Sequence, residues 1–367
     1  MSILITGATG FLGGALTAEL LASPDWPQVL LLVRAENPAH ALARVIQRLK
    51  RFAIADEHLA RVRAEQIVCV DLATPVPLPD DERLRSIRKV VHCAASTSFG
   101  ANTEVFSTNV DGTLRLARHL QRIASLDRFL YVSTAMICGT RPDTIVHEDD
   151  YPHEAVEHFV SYTRSKANAE QQLRTLPGLP LVVVRPSIIV GHTRLGCQPS
   201  GSIFWTFRIA DALRMVTSAA DGRIDVVPVD YAAQVLLLLL SRKTLAHSTY
   251  HLSAGTEASC SWTDVSRAFG RARGAPDAEL QSFRTAHVRD IDARRQEFAS
   301  LFGRCSQRLM MRAIKLYGAF AGLNCVFSND RLRTEGAGLP PRFSDYLDVC
   351  LRSCADTAIA EQMLIDL

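Results

Sequence analysis

A short apolar run, Ile3-Leu4-Ile5-Thr6, breaks directly into Gly7-Ala8-Thr9-Gly10-Phe11-Leu12-Gly13, and a helical pattern follows over Leu12–Leu21. Glycines at i, i+3 and i+6 between a strand and a helix leave few folds open. The first allows a tight turn, and the second lets backbone approach an anion such as a pyrophosphate. The third lets the helix pack closely on the strand, with its N-terminal amides facing that anion. The spacing alone is a weak signal; its place at the first strand–helix junction makes it strong. Further strand candidates follow at Val29–Val33, Gln66–Val70, Lys89–Cys93, Arg128–Ser133 and Leu181–Arg185. Nearly all are rich in Val, Ile and Leu without alternation, as when both faces of a sheet are buried. Helical patterns at Ala39–Arg51, Val110–Ala124 and Tyr162–Thr175 separate them. Connections of that length imply right-handed βαβ crossovers, and so an α/β fold with a doubly wound parallel sheet.

After Val190 the rhythm changes. Residues 191–201 are loop-like, and Ser202–Val216 reads as a helix. Asp225–Tyr231 and Tyr250–Leu252 read as returns to the sheet, on either side of the leucine-rich helix Ala232–Leu240. From Gly255 onward the pattern is helical and irregular. The expected division is a Rossmann domain from 1–190 and 226–254, with a smaller, mainly helical substrate domain from 191–225 and 255–367.

Composition excludes several classes. Of 367 residues, 47% are hydrophobic and 22% charged, which rules out disordered and collagen-like chains. A net charge of +3 is too even to argue for nucleic acid. Nine cysteines without CxxC pairs suggest reduced thiols in a cytosol-like compartment. Cys350 and Cys354 lie four apart but have no second ligand pair nearby, so no metal site is expected. No targeting segment is visible, and the longest apolar run beyond the first strand, Val235–Leu240, is about a third of a membrane span. The expectation is a soluble, cytoplasmic protein.

The second strand ends Leu32-Val33-Arg34, where an acidic residue would suit the ribose 2′-hydroxyl of NAD. A planar guanidinium instead suits a 2′-phosphate, which favours NADP. Arg44 is a candidate second phosphate ligand, and Asp71-Leu72, after the third strand, is a candidate for the adenine edge. Tyr162 and Lys166, at i and i+4, share one helix face. A lysine charge there would favour the phenolate and bring a proton of ordinary pKa about 10 into working range. Ser133 and Thr134 close the fifth strand at its carboxyl edge, where ligands bind in open α/β sheets. A hydroxyl there can donate a second hydrogen bond to an oxyanion.

Together these residues resemble the extended short-chain dehydrogenases/reductases: Gly7-x-x-Gly10-x-x-Gly13, His92-Cys93-Ala94-Ala95, Asn109, Thr134, Tyr162 and Lys166. Counting back five from Gly139 places the family's catalytic hydroxyl on Thr134 rather than Ser133. Within that superfamily the chain most resembles the thioester reductases, meaning fatty acyl-CoA reductases and the terminal reductase domains of carboxylic acid reductases and peptide synthetases. The matching stretches are Gly7–Gly14, Leu32–Ala35, His92–Phe99, Tyr131–Ala135, Tyr162–Glu170, Arg185–Gly191 and Val227–Tyr231, so the likeness covers roughly residues 1–255.

The resemblance implies that NADPH delivers hydride to a thioester carbonyl while Thr134 and Tyr162 hold the developing oxyanion. Lys166 would keep Tyr162 competent and hold the nicotinamide ribose. Thr9, Gly10, Phe11 and Leu12 would meet the phosphates; Ala94, Ala95 and Ser96 would pass beneath the cofactor; Pro186, Ser187 and Ile188 would line the nicotinamide. The product is an aldehyde, or the alcohol after a second hydride. No adenylation or carrier segment precedes Met1 here, so a stand-alone reductase is expected, fed by coenzyme A or a separate carrier protein. Two other readings share these residues: an alcohol-oxidising or sugar-modifying extended reductase, and a non-catalytic NADP-binding sensor. Two surface features add to the picture. Phe283–Lys315 holds eight Arg/Lys against three Asp/Glu, a face for coenzyme A phosphates or an acidic carrier, or simply solvated helices. Leu309–Phe327 is apolar apart from Arg312, Lys315 and Asn324, so it could be a buried helix, line an acyl tunnel or touch a membrane surface.

Overall fold

The computed structural model describes residues 2–366 apart from 24–25, 98–103, 143, 151–155, 277 and 279. Ser98 and Phe99, the end of one matching stretch, lie outside the described residues. In chain order the elements that matter are β1 (Ile3–Thr6), α1 (Phe11–Leu21), β2 (Val29–Val33), α2 (Pro38–Lys50), β3 (Ile67–Cys69), β4 (Lys89–His92), α3 (Thr113–Leu120), β5 (Arg128–Val132), α4 (Ser161–Arg174), β6 (Leu181–Pro186), α5 (Phe204–Leu213), α6 (Val229–Ser241), β7 (Thr249–Leu252), α7 (Trp262–Ala272), α8 (Gln307–Ala321) and α9 (Phe343–Ser353).

Among the described residues, β1 to β7 form a seven-stranded sheet in the order β7-β6-β5-β4-β1-β2-β3, every neighbour parallel. The order reverses between β1 and β4, which opens a crevice at the carboxyl ends of those two strands. Both sheet faces are buried, as the unalternated strands predict. Ile3 and Ile5 face one core with Leu31, Val45 and Leu236, while Leu4 faces the other with Leu32, Val90 and Phe129. α2 shows how local sequence sets a boundary. Pro38 occupies its first turn, the Asn37 side chain accepts from the His40 N–H at 2.9 Å, and Ala41, Val45 and Leu49 bury one stripe.

One expected return to the sheet does not occur. Only Val226–Val227 of Asp225–Tyr231 is extended, and it pairs in parallel with Ile188–Ile189, outside the central sheet. Pro228 then caps α6, so Val229–Tyr231 is already helical. The true edge strand is β7, beside β6. The helix expected over Ser202–Val216 stops at Leu213, where Arg214 adopts a left-handed conformation, and Met215–Val216 is a short strand. The segment that reads as helix from Val110 begins as a widened turn over Ser107–Gly112, in which Gly112 lies against the Leu72 carbonyl. Beyond the sheet, Phe204, Phe207, Trp262, Phe269 and Phe343 form one further apolar cluster, and Trp205, Leu213, Ile291, Phe298 and Met310 another.

Candidate active site

The glycine loop is shaped by backbone contact. Gly7 sits at φ +77°, and a Cβ there would meet the Ala94 nitrogen at 2.7 Å. A Cβ on Gly13 would lie 2.2 Å from the Gly7 carbonyl oxygen. Both approaches exclude every side chain larger than hydrogen. The Gly10 N–H donates to the Gly7 carbonyl at 2.8 Å, closing the turn, and α1 starts with no side-chain cap. Its first amides therefore lack the usual side-chain acceptor.

This loop forms one end of a cleft of about 620 Å³. Gly7, Gly10, Phe11, Leu12, Gly13 and Ala95 line that end, and Pro186, Ser187 and Ile188 the middle. Ser133, Thr134, Tyr162 and Lys166 converge on the same space from β5 and α4. The two hydroxyls closing β5 differ in use. Ser133 donates to Glu170 at 2.9 Å, so its proton is committed. Thr134 accepts from the Met136 N–H at 3.3 Å, which leaves its own proton to donate. Local bonding thus favours Thr134 over Ser133 as the hydroxyl that meets a ligand.

On α4, Tyr162, Lys166 and Glu170 follow at i, i+4 and i+8. Glu170 is fully buried and paired with Arg185 at 2.7 Å and Arg174 at 2.9 Å. Burial opposes its charge, but Arg185 and Arg174 hold it below the usual carboxylate range. Lys166 donates to the Val132 carbonyl at 2.7 Å and lies 4.9 Å from the centre of the Tyr131 ring. Burial lowers its pKa to about 8, with Cys93 and Glu170 pulling the other way. The expected depression of Tyr162 is reversed here: burial pushes the phenol up to about 12. A phenol that keeps its proton is the form that donates to a developing oxyanion.

Other expected residues brace the site or stand apart from the cleft wall. Asn109 is buried; its oxygen accepts from the Ser96 N–H at 2.8 Å, and its amide donates to the Ser96 carbonyl and Ser165 hydroxyl, each at 2.9 Å. It ties the loop after β4 to α4. The Ala94 N–H donates to Thr6 Oγ1 at 3.0 Å, and that oxygen also meets His92, which is buried between Thr6 and Thr113. Burial drives the His92 pKa to about 3, with Lys166 adding to the effect. Thr9 accepts through its carbonyl from Arg48 at 2.8 Å. Arg34 is exposed, and the Arg44 guanidinium donates to its backbone carbonyl at the end of β2. Asp71 is used locally, accepting from the Ala73 N–H at 2.9 Å, and the Leu72 side chain belongs to the core.

Three residues escaped the sequence reading in these roles. Arg48 lines the cleft and ties Thr9 to the Pro199 carbonyl at 2.7 Å; its signal was the helical spacing from Arg44. Glu170 completes the helix face of Tyr162 and Lys166. Asp225 lines the cleft and is fully enclosed, accepting from the Ala254 N–H at 2.6 Å and the Phe327 N–H at 3.0 Å. Burial lifts its pKa to about 6 against those bonds.

Residues 5–236 match the model of the Male sterility protein family, which carries an NAD-binding fold. The chain belongs to that family. Its members here fall among the extended short-chain dehydrogenases/reductases of thioester-reductase type. A non-canonical nonribosomal peptide synthetase, hkm10 of Aspergillus hancockii, is 27% identical over 296 residues, covering 74% of this chain and 28% of the relative. A protein named aldehyde reductase lnaA, from Aspergillus flavus, is 30% identical over 272 residues, covering 68% of this chain and 25% of the relative. The chain thus spans about a quarter of the length of these relatives. The fold matches the crystal structure of the terminal R domain from the myxalamid PKS-NRPS pathway at a TM-score of 0.76, with 22% identity over 97% of this chain and 90% of that one. Among the described residues no helix is long and apolar enough to cross a membrane.

Proposed function

We propose that the chain is an NADPH-dependent reductase of acyl thioesters, releasing an aldehyde and a thiol. The observation that carries this reading is the meeting of Thr134, Tyr162 and Lys166 on a cleft that begins at the glycine loop and continues into apolar walls. The cradle fits a dinucleotide: Gly7 and Gly13 leave room only for backbone, and the uncapped α1 terminus suits a pyrophosphate. When bound, NADPH supplies the hydride. Arg34, with Arg44 beside it, gives the charge that prefers a 2′-phosphate.

The chain's own groups then have distinct tasks. Thr134 and Tyr162 donate to the thioester oxygen as negative charge builds there, and Tyr162 passes its proton to that oxygen. As the hemithioacetal so formed breaks its C–S bond, its hydroxyl proton returns to the Tyr162 phenolate, the carbonyl re-forms as an aldehyde, and the departing thiolate takes a proton from water. Lys166 keeps a positive charge beneath the site, and the Glu170–Arg185 pair holds α4 against β6. The peptide-synthetase and aldehyde-reductase names of the relatives agree with a thioester delivered on coenzyme A or a carrier protein, and with an aldehyde product. Residues 191–225 and 255–367 would form the substrate side.

The test is NADPH consumption over a panel of acyl-CoA and acyl-pantetheine thioesters. Turnover is expected, with Tyr162→Phe lowering kcat by about 10²- to 10⁴-fold while NADPH binding stays within about twofold. Tight NADPH binding with no thioester turnover, together with oxidation of an alcohol, would replace this reading with the alcohol-dehydrogenase one.

A further inference from the structure

Beyond the catalytic groups the cleft continues between α5 and α8. On α5, Trp205, Ile209 and Leu213 face it at i, i+4 and i+8; on α8, Ala313, Tyr317 and Ala321 do the same, with Ile314 and Gly318 beside them. Trp205 and Tyr317 join the two helices edge to face, ring centres 5.0 Å apart. Arg312 and Lys315 lie on the exposed face of α8, away from the cleft. Neither helix brings a charged side chain to this part of the wall. The charged groups lining the cleft elsewhere are already engaged: Arg48 with the Thr9 and Pro199 carbonyls, Lys166 with the Val132 carbonyl, Arg223 with Ser259, and Asp225 with two backbone amides.

The direction of α8 relative to the chemistry is also set. Phe320, near its C-terminal end, packs edge to face on Phe159, three residues before Tyr162, with ring centres 5.0 Å apart. Cys325 and Phe327, just past the helix, share an apolar cluster with Ala135 and Met136, next to Thr134. At the other end Met310, Ala313 and Ile314 pack with Leu213, Ile291 and Phe298. The helix therefore runs away from the hydroxyls, and the eight residue steps from Ala321 back to Ala313 span about 12 Å. Small side chains sit along that line. At Gly318 a Cβ would be 2.5 Å from Thr217 Oγ1, so the missing side chain lets α8 pack closely on Thr217.

We propose that the inner face of α8, with α5 opposite, is a measuring wall for an uncharged, apolar acyl chain, and that Ala313 and Ile314 set the longest chain it accepts. The inference deepens the thioester reading and rests on it for the position of the carbonyl. A charged acyl end would find no ionic partner on this wall and would lose its hydration there, while the buried Trp205 indole N–H, which has no acceptor among the described residues, is left to meet a single polar group.

S-alkyl thioethers of pantetheine, which carry no carbonyl to reduce, serve as probes in the NADP-loaded protein, with affinity followed by calorimetry. Affinity should rise about three- to fourfold per added methylene and then stop rising at a definite length. Ala313→Phe should move that break to shorter chains, and Ile314→Ala, a truncation the fold tolerates more readily, to longer ones. A terminal carboxylate on the longest probe should weaken binding about tenfold or more. A flat series in the unmodified protein, or a break that neither folded variant moves, would overturn the wall. If the series behaves as expected but no thioester is reduced, the thioester reading falls and the wall stands.

Discussion

At the end of the cleft beside β1 the surface is backbone: Gly7 and Gly13 are pressed against Ala94 and Gly7, and the amides of α1 open onto the space. At the end beside α8 it is side chain: Trp205, Leu213, Ile291, Ala313 and Tyr317 come from three separate stretches of chain. The first end tolerates almost no substitution, because its atoms are within contact distance of main chain that cannot move. The second can be remade one methyl group at a time. In the proposed reading the rigid end would meet a cofactor common to many enzymes, and the adaptable one an acyl group that differs between them. Thr134, Tyr162 and Lys166 stand at the boundary.

The largest effect that would sharpen this contrast is expected from Gly13→Val. The added branch would strike the Gly7 carbonyl, and NADPH should bind at least about 100-fold more weakly by fluorescence titration. Alkyl-pantetheine probes should still show their length dependence in that variant. Loss of both together would mean that the two ends are one cooperative unit and would break the comparison.

A smaller effect is expected from Arg34→Glu, which should move the NADPH-to-NADH preference in kcat/KM by about 10- to 100-fold toward NADH. The acyl-length break should stay where it is. An unchanged cofactor ratio would shift the assignment of the 2′-phosphate contact to Arg44 or Arg48.

The smallest effect is on stability against pH. His92, below the cofactor end, and His251, where β7 meets the Val326–Phe327 strand, are both buried, and burial holds each near a pKa of about 3. Unfolded, each binds a proton below about 6.5, so each makes the protein less stable as pH falls from there toward 3. Asp225 acts in the opposite sense. Its pKa of about 6 lies above its unfolded value, so the folded state binds the extra proton as pH falls through 6. With the buried and half-buried histidines, His158 and His192 among them, outweighing the aspartate, denaturant melts between pH 6 and 4.5 should lose on the order of 1 kcal/mol per unit as pH drops. Replacing either His92 or His251 with Asn should make that slope shallower. A different response at the two positions would show that one end of the cleft opens before the other.

Which parts of the molecule could be read in advance follows the same division. Gly7, Gly10 and Gly13 announce a loop because the needed φ and the close approaches are local properties. Tyr162 and Lys166 announce a helix face because four residues make one turn. Asp225–Tyr231 misled because a valine pair beside a proline reads as strand whether or not it joins the main sheet; Pro228 starts α6 there instead. Asp71 follows from its place after the third strand and Asn109 from the family resemblance; in the structure their side chains bond Ala73, Ser96 and Ser165, partners that no local spacing encodes. The direction of the Tyr162 shift was beyond reach, since it depends on where Lys166 points and how much water remains.

The sequence by itself determined the parallel sheet, its crossover helices, the glycine loop and the order of the hydroxyl, phenol and ammonium groups along the chain. Each of these is written in spacings of a few residues, where backbone geometry leaves little choice. Only the tertiary structure decided that the Ser133 proton is committed to Glu170 while Thr134 keeps its own to donate, that Arg48 and Asp225 join the cleft walls, and that α5 and α8 extend it. Those outcomes rest on contacts between residues from 29 to 151 positions apart. The packing of whole helices sets them, and no local pattern encodes it.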